Sequence, residues 1–211
     1  MEKKIAWVIF GASSPIAKSL VEKLKENEDY KIFAVSRNSD YDFKKFKESI
    51  KDLEGFEIYS VLFNGKIFFK KFEDISPKDL QDIEEANLDS TIFYLQAILK
   101  NNLNTKKVMI IGSRAGQITG HHKYFSLYAA TKTACLGLLR SLSAEFPNTM
   151  FTYYICPATD TDIFKNGAVD QELLLEVKSK ENTVKKTTKE IAVFIKDTLE
   201  NQKENFKDLI I

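Results

Sequence analysis

The chain is poor in the residues that build metal centres and disulfide frameworks. Of its 211 residues, two are cysteine and two are histidine. Cys135 and Cys156 lie far apart in the sequence, form no CxxC pair and have no histidine at ligand spacing. These absences exclude the common zinc sites and a disulfide framework, so we expect no metal and a reducing compartment.

Long apolar runs and a dominant sign of charge are also missing. The apolar run at residues 5–10 stops at a glycine, well short of the roughly 18 residues of a membrane span, and is typical of a buried strand. The 31 basic and 30 acidic side chains give a formal net charge of +1, which favours neither nucleic acid nor an anionic membrane as partner. We therefore predict a cytoplasmic protein that binds neither.

What the chain does contain is a regular alternation of strand-like and helix-like patterns, within a length that fits a single domain over residues 1–211. Residues 159–184 have weak periodicity and stay unassigned. The alternation predicts an α/β fold with a doubly wound parallel sheet in three layers, α/β/α. Strands are predicted at 5–10, 31–35, 58–63, 107–111, 149–155 and 208–211, and helices at 15–25, 43–53, 87–100, 124–144 and 187–201, with a further helix beginning at Pro77.

Ligands of such sheets bind at the carboxyl ends of the strands, so the residues that follow each strand are the candidates for function. After the first strand, Gly11 permits a tight turn, Ser14 can cap the next helix and Pro15 suits its first turn. Backbone N–H groups at a helix start bind anions, and we expect Gly11, Ser13, Ser14 and Ile16 to hold a pyrophosphate.

The second strand ends in Ser36 and Arg37, with no acidic residue at its tip. An acid there would hold the ribose 2′-hydroxyl of NAD, whereas a serine and an arginine suit the additional phosphate of NADP. NADP is therefore favoured and NAD is the alternative. A solvated loop arginine is an equally good interpretation of Arg37.

Tyr128 and Lys132 have the i, i+4 spacing that places both side chains on one face of a helix. A tyrosine is a poor acid–base group at neutral pH, and a neighbouring ammonium stabilises the phenolate. Ser113, at the tip of the preceding strand, is positioned to meet this pair. Asn87, on an earlier helix, is a fourth polar candidate.

Taken in order, these features resemble the short-chain dehydrogenase/reductase family over nearly the whole chain. The residues that carry the resemblance are Gly11–Ala17 for the glycine motif, 62–65 for NNAG, Asn87 for the helix asparagine, 111–116 for the serine segment, Tyr128 and Lys132 for YxxxK, and Pro157–Ala158 for the PG motif.

The resemblance implies a Rossmann-like fold and hydride transfer between a nicotinamide dinucleotide and a small-molecule carbonyl or alcohol. In that mechanism Tyr128 is the general acid/base, Lys132 assists it and holds the nicotinamide ribose, Ser113 binds the carbonyl oxygen and Asn87 supports a water-linked proton path. The resemblance also implies a homodimer or homotetramer built on helices 87–100 and 124–144. Further cofactor contacts are implied for Asn64, Gly65, Pro157 and Thr159.

Several positions depart from the family pattern. Pro15 and Ala17 replace two motif glycines, and Pro15 removes a backbone N–H. One helix–strand unit after the second strand is shortened, with residues 39–42 as the remnant of a strand and Asp40 as a candidate adenine contact. These departures keep open an alternative, a dinucleotide-binding sensor or scaffold without turnover.

A histidine pair and a group of phenylalanines are the remaining residues that have both a functional and a structural interpretation. His121 and His122 lie between Ser113 and Tyr128, where a substrate contact is an alternative to a solvated loop pair. Phe68, Phe69 and Phe72 are interpreted as core or interface residues.

Overall fold

The structure is a computed structural model that describes residues 4–36, 42–99, 103–117, 122–159, 161, 164, 167–178, 185–203 and 207–210. Among these residues, six parallel strands form the main sheet in the order β2-β1-β3-β5-β6-β8, and two form a small parallel pair. The strands are β1 (Ile5–Phe10), β2 (Lys31–Val35), β3 (Glu57–Leu62), β4 (Phe68–Phe69), β5 (Thr105–Ser113), β6 (Met150–Cys156), β7 (Ala168–Val169) and β8 (Lys207–Ile210).

Helices cover both faces of the main sheet. They are α1 (Pro15–Leu24), α2 (Phe43–Glu48), α3 (Pro77–Glu84), α4 (Ser90–Leu99), α5 (Ser126–Glu145), α6 (Gln171–Lys178) and α7 (Thr188–Asn201). Capping boxes at Ser76 and Thr187 define the starts of α3 and α7, because each hydroxyl accepts the N–H three residues on and satisfies a helix-end donor.

The central strand β1 shows why a parallel sheet forms here. Its side chains are apolar without alternation, so the strand is stable only when both faces are buried. Trp7 and Ile9 pack under α1 and α7, whereas Val8 and Phe10 pack under α2, α4 and α5. Two apolar cores on opposite faces of one sheet make the three-layer fold.

The predicted α/β/α fold is confirmed, with three local differences from the predicted elements. The helix predicted over 43–53 divides into α2 and a 3-10 turn at Ile50–Leu53. A π-helical turn at Glu85–Asp89 joins α3 to α4. The pair β4·β7 and helix α6 were not predicted, since a two-residue strand carries no periodic signal.

The shortened unit leaves β2 at the end of the described sheet. Of the four residues predicted as a strand remnant, 39–41 lie outside the described residues, and Asp42 caps α2 by accepting the N–H of Lys45. Within the described ranges, no helix has the length and apolar character to cross a bilayer.

Candidate active site

A cleft of about 520 Å³ lies where the carboxyl ends of β1, β3, β5 and β6 meet. Its size is within the range of ordinary ligand pockets, roughly 300–1,000 Å³. Nine of the residues predicted from the sequence line it: Ser14, Ile16, Asn64, Gly65, Ser113, Tyr128, Lys132, Pro157 and Thr159.

The predicted helical pair lies on α5 and faces this cleft. Tyr128 is 7% exposed and Lys132 is 6% exposed. The Lys132 ammonium donates a hydrogen bond to the carbonyl oxygen of Ile111 at 3.0 Å and lies 5.8 Å from the centroid of the Tyr128 ring. The buried ammonium is therefore fixed beside the phenol by a strand end.

Ser113 is the last residue of β5. Its hydroxyl accepts the N–H of Ala115 at 3.2 Å, which turns the chain into the 3-10 segment Arg114–Gly116. A Cβ at Gly116 would lie 2.7 Å from Cβ of Lys132, so glycine lets this turn pack against α5. Ser113 is thereby brought to the same cleft as Tyr128.

Asn87 does not line the cleft but lies directly behind it, 1% exposed, in the π-helical turn. Its Oδ1 accepts the N–H of Lys66 at 2.6 Å, and its Nδ2 donates to the carbonyl of Lys66 at 3.0 Å and to Oγ1 of Thr131 at 3.0 Å. Thr131 in turn donates to the carbonyl of Tyr128 at 3.0 Å. The amide thus connects the loop after β3 to the helix that carries Tyr128 and Lys132.

Gly65 separates Asn87 from Lys132. Its φ of +138° disfavours any residue with a side chain. A Cβ there would lie 3.0 Å from Oδ1 of Asn87 and 3.4 Å from Nζ of Lys132. The neighbouring Asn64 donates to the hydroxyls of Ser90 and Thr91 at 2.8 and 2.7 Å, which anchors the loop to α4.

The turn between β1 and α1 supplies donors to one end of the cleft. The hydroxyl of Ser14 accepts the N–H of Ala17 at 3.4 Å, and Pro15 has no N–H. The N–H of Ile16 is therefore the first-turn donor that neither an intrahelical bond nor the cap satisfies. Gly11 (φ +72°) makes the turn but does not line the cleft, and neither does Ser13.

Of the remaining predicted cofactor contacts, some line the cleft and others do not or lie outside the described residues. Pro157 and Thr159 line the cleft, and the Thr159 hydroxyl donates to the carbonyl of Pro157 at 2.9 Å. Ser36 is buried at the end of β2 and does not line the cleft. Arg37 and Asp40 lie outside the described residues, as does His121.

Sequence reasoning missed several lining residues. Lys66 and Arg114 directly follow predicted site residues at strand ends, and that position was a usable signal. Phe69, read as a core or interface residue, is fully buried and also lines the cleft, whereas Phe72 is 75% exposed. Other lining residues that had no sequence signal are Phe125, Phe164, Leu174 and Lys185.

Cys156 lines the cleft beside Thr159, with 3.6 Å between Sγ and Oγ1. Burial raises the pKa of the Cys156 thiol, and contact with the Thr159 hydroxyl only partly opposes this. A thiol with a raised pKa is a poor nucleophile at neutral pH. Cys156 therefore acts here as a small lining residue. The described residues contain no cluster of potential metal ligands.

Comparison with known proteins gives a consistent result. The family model described as short chain dehydrogenase matches residues 60–172. No curated protein sequence gives a significant match.

Solved structures resemble the chain along most of its length. A short-chain dehydrogenase from Streptomyces avermitilis is 19% identical with a TM-score of 0.75, covering 100% of this chain and 89% of that one. The alcohol dehydrogenase from the archaeon Thermococcus sibiricus, complexed with 5-hydroxy-NADP, is 19% identical with a TM-score of 0.72 and coverages of 99% and 96%. A short chain dehydrogenase from Burkholderia cenocepacia in complex with NADP is 15% identical with a TM-score of 0.68 and coverages of 93% and 91%. At these identities the structures demonstrate the shared fold.

Proposed function

Since the chain belongs to the short-chain dehydrogenase family, we propose that it is a nicotinamide-dependent oxidoreductase that reduces a carbonyl, or oxidises an alcohol, at the site formed by Tyr128, Lys132 and Ser113. The alcohol and the carbonyl are the two ends of one reversible hydride transfer. The substrate is a small molecule that enters the cleft above these side chains.

The observation that carries this proposal is the buried ammonium of Lys132. Among the described residues no carboxylate pairs with it, and its one hydrogen-bond partner is a backbone carbonyl, Ile111 O. Burying a cation without a counter-charge costs stability, and a buried cation that lines a cleft is a candidate functional group. Its position beside the Tyr128 ring supports the role of assisting proton transfer by that phenol.

In the direction of reduction, the Tyr128 hydroxyl donates its proton to the carbonyl oxygen as negative charge develops there. The Lys132 ammonium stabilises the phenolate that remains. Ser113 donates a hydrogen bond to the same oxygen and so stabilises its charge in the transition state. In the reverse direction Tyr128 takes the proton from the alcohol.

Asn87 acts through its neighbours. Its amide holds the Lys66 peptide and Thr131, so the loop and α5 keep a fixed separation around Lys132. We assign to it the support of a water-linked path that returns a proton to Lys132.

The described residues fit a dinucleotide. The first turn of α1, with the Ile16 N–H and Ser14, would hold the pyrophosphate, while Lys132, Asn64 and Gly65 would hold the nicotinamide ribose. Pro157 and Thr159 border the opposite wall. When bound, the nicotinamide supplies or accepts the hydride.

We propose NADP as the cofactor, with NAD the alternative. Arg37, which follows the second strand, supports this choice because a guanidinium suits a 2′-phosphate and no acid stands immediately at the strand tip. Fluorescence titration with NADPH and NADH tests it directly. Tighter binding of NADPH that is lost in Arg37→Ala supports NADP, equal binding of the two contradicts the preference, and absence of binding at submillimolar concentration contradicts the whole function.

Substitution of the phenol tests the chemistry. Tyr128→Phe should reduce kcat for aldehyde or ketone reduction by about 10² to 10⁴, the usual contribution of a positioned acid or base, without loss of NADPH binding. Tyr30→Phe is the matched control, since its hydroxyl contacts Glu200, remote from the cleft. Unchanged turnover in Tyr128→Phe would rule out its assigned role.

One observation favours the sensor alternative. Pro15 removes a donor from the first turn of α1, as expected for a site under less demand for precise binding. A sensor binds dinucleotide but shows no turnover with any carbonyl.

We also propose a homodimer or homotetramer built on α4 and α5. Phe93 on α4 is 58% exposed, so this face offers a large apolar side chain to a second copy. Light scattering during size-exclusion chromatography measures the mass directly. The substitution Phe93→Asp should shift it toward the 24.2 kDa monomer, and an unshifted mass would argue against this face.

A further inference from the structure

We propose, on the basis of the oxidoreductase function above, that the substrate carries an anionic group, a carboxylate or a phosphate, and that Arg114 and Lys66 bind it.

The inference begins with the charge of the cleft. Four of the described lining residues are basic and none is aspartate or glutamate: the basic ones are Lys66, Arg114, Lys132 and Lys185. The whole chain has 31 basic and 30 acidic side chains, so this excess is local and does not follow from composition. A cleft lined by one sign of charge concentrates ligands of the opposite sign.

A dinucleotide accounts for only part of this charge. Its pyrophosphate is expected at the turn after β1, and Lys132 already has a role beside Tyr128. Arg114 follows β5, which is two strands away from β1 in the sheet. Adjacent strands are about 4.8 Å apart, so this end of the cleft is about 10 Å from the phosphate turn. Arg114 also directly follows Ser113, and is therefore at the reacting end of the cleft.

Lys66 is held at the same end by its backbone. Both polar groups of its main chain bond to the buried Asn87 amide, at 2.6 Å for the N–H and 3.0 Å for the carbonyl. A Cβ at the neighbouring Gly65 would lie 3.4 Å from Nζ of Lys132, so this loop runs close to the ammonium. Because this backbone is already fixed, binding does not have to order the loop, which favours the use of Lys66 as a ligand contact.

A second cavity extends the positive lining toward solvent. It has a volume of about 380 Å³ and shares His122 with the main cleft. Three lysines line it, Lys70, Lys71 and Lys123, together with one acidic residue of its described lining, Glu73. Lys70 is paired with Asp79 at 2.8 Å, so the positive excess comes from Lys71 and Lys123. An anionic substrate that approaches from this side meets an attractive field before it reaches Arg114.

Matched pairs of aldehydes test the proposal. The pairs are para-formylbenzoate with its methyl ester, for the carboxylate, and glyceraldehyde phosphate with glyceraldehyde, for the phosphate. For the preferred anion, kcat/KM of the charged member should exceed that of the neutral member by about tenfold or more, the effect of a charge-assisted hydrogen bond. The preference should fall as ionic strength rises, because salt screens the attraction.

Variants assign the effect to residues. Arg114→Met and Lys66→Met should each raise KM for the charged aldehyde by about five- to tenfold and leave kcat nearly unchanged, because the lost contact is present in ground state and transition state alike. Lys78→Met is the matched control, since Lys78 is exposed on α3 and pairs with Asp82. It should leave both constants unchanged.

Three outcomes overturn the proposal. Equal kcat/KM for charged and neutral members overturns it while the oxidoreductase function stands. A rise in KM for NADPH instead of the charged aldehyde assigns these cations to the cofactor. If no aldehyde is turned over, calorimetry with para-formylbenzoate and with inorganic phosphate decides: weaker binding by Arg114→Met than by the wild type supports the anion site, and equal binding refutes it. NADPH titration judges the proposed function separately.

Discussion

Truncation of Asn87 should destabilise the protein by about 2–4 kcal/mol, because its amide makes three hydrogen bonds in a 1% exposed position. In Asn87→Ala the N–H and carbonyl of Lys66 lose their partners, and each orphaned buried group costs about 1–3 kcal/mol. The lower part of that range applies to Lys66, which is half-buried and accessible to water. Thr131 keeps a partner in the Tyr128 carbonyl and adds little.

Urea unfolding followed by circular dichroism measures this effect. The midpoint should fall with the slope unchanged, because the surface exposed on unfolding is the same. Asn87→Asp keeps the acceptor for the Lys66 N–H but turns a carboxylate oxygen toward the Lys66 carbonyl, so it should also be destabilised. Asn201→Ala is the control, since that exposed amide bonds only to Asp197 O among the described partners. An Asn87→Ala variant whose free energy of unfolding is within about 0.5 kcal/mol of the wild type would refute the stabilising role of the Asn87 amide, since surface substitutions have effects of that size.

Three further predictions concern packing and charge. In Gly112→Ala the new Cβ would lie 2.4 Å from the ring of Tyr153, whose hydroxyl bonds to the Lys132 carbonyl, so overpacking of about 1–3 kcal/mol and lower kcat are expected. Gly137→Ala on the exposed side of α5 meets nothing within 4 Å and should instead stabilise by about 0.5–1 kcal/mol; a loss in urea unfolding would contradict this. Burial opposes ionisation of Asp79, but the hydrogen bond from Lys70 helps lower the pKa of this carboxyl from 3.8 to about 2. The charged carboxyl therefore stabilises the fold above pH 4, and this contribution disappears as the pH falls from 4 to 2. After allowance for solvent screening, the contribution of the charged carboxyl amounts to about 1 kcal/mol. Between pH 4 and pH 2, Asp79→Asn should therefore lose about 1 kcal/mol less stability than the wild type.

The fold was largely predictable because its signals are local and repeated. Each strand of the main sheet has an apolar run of its own, and each capped helix has a serine, threonine or aspartate at its start. The pair β4·β7 escaped prediction for the opposite reason. Phe68 and Phe69 pair with Ala168 and Val169, which lie far along the chain, and no local pattern predicts that contact.

The π-helical turn around Asn87 is another feature that the sequence pattern does not predict. Its periodicity is that of one long helix, yet the structure widens the helix over Glu85–Asp89. That turn carries the amide that bonds to Lys66 and Thr131, and widened turns of this kind are frequent at functional sites. The contact is tertiary, so spacing alone could not predict it.

By itself, the sequence determined the order of the main-sheet strands and of most helices along the chain, and the helical spacing of Tyr128 and Lys132, because both follow from local periodicity. It also placed Ser113 at a strand end, where a parallel sheet gathers functional groups. Only the tertiary structure decided which residues share the cleft. In the structure Lys66 and Arg114 line the cleft and Ser36 does not, while Asn87 lies behind the cleft and bonds to the Lys66 backbone. Those outcomes depend on strand order and on close packing between distant segments, which no local pattern encodes.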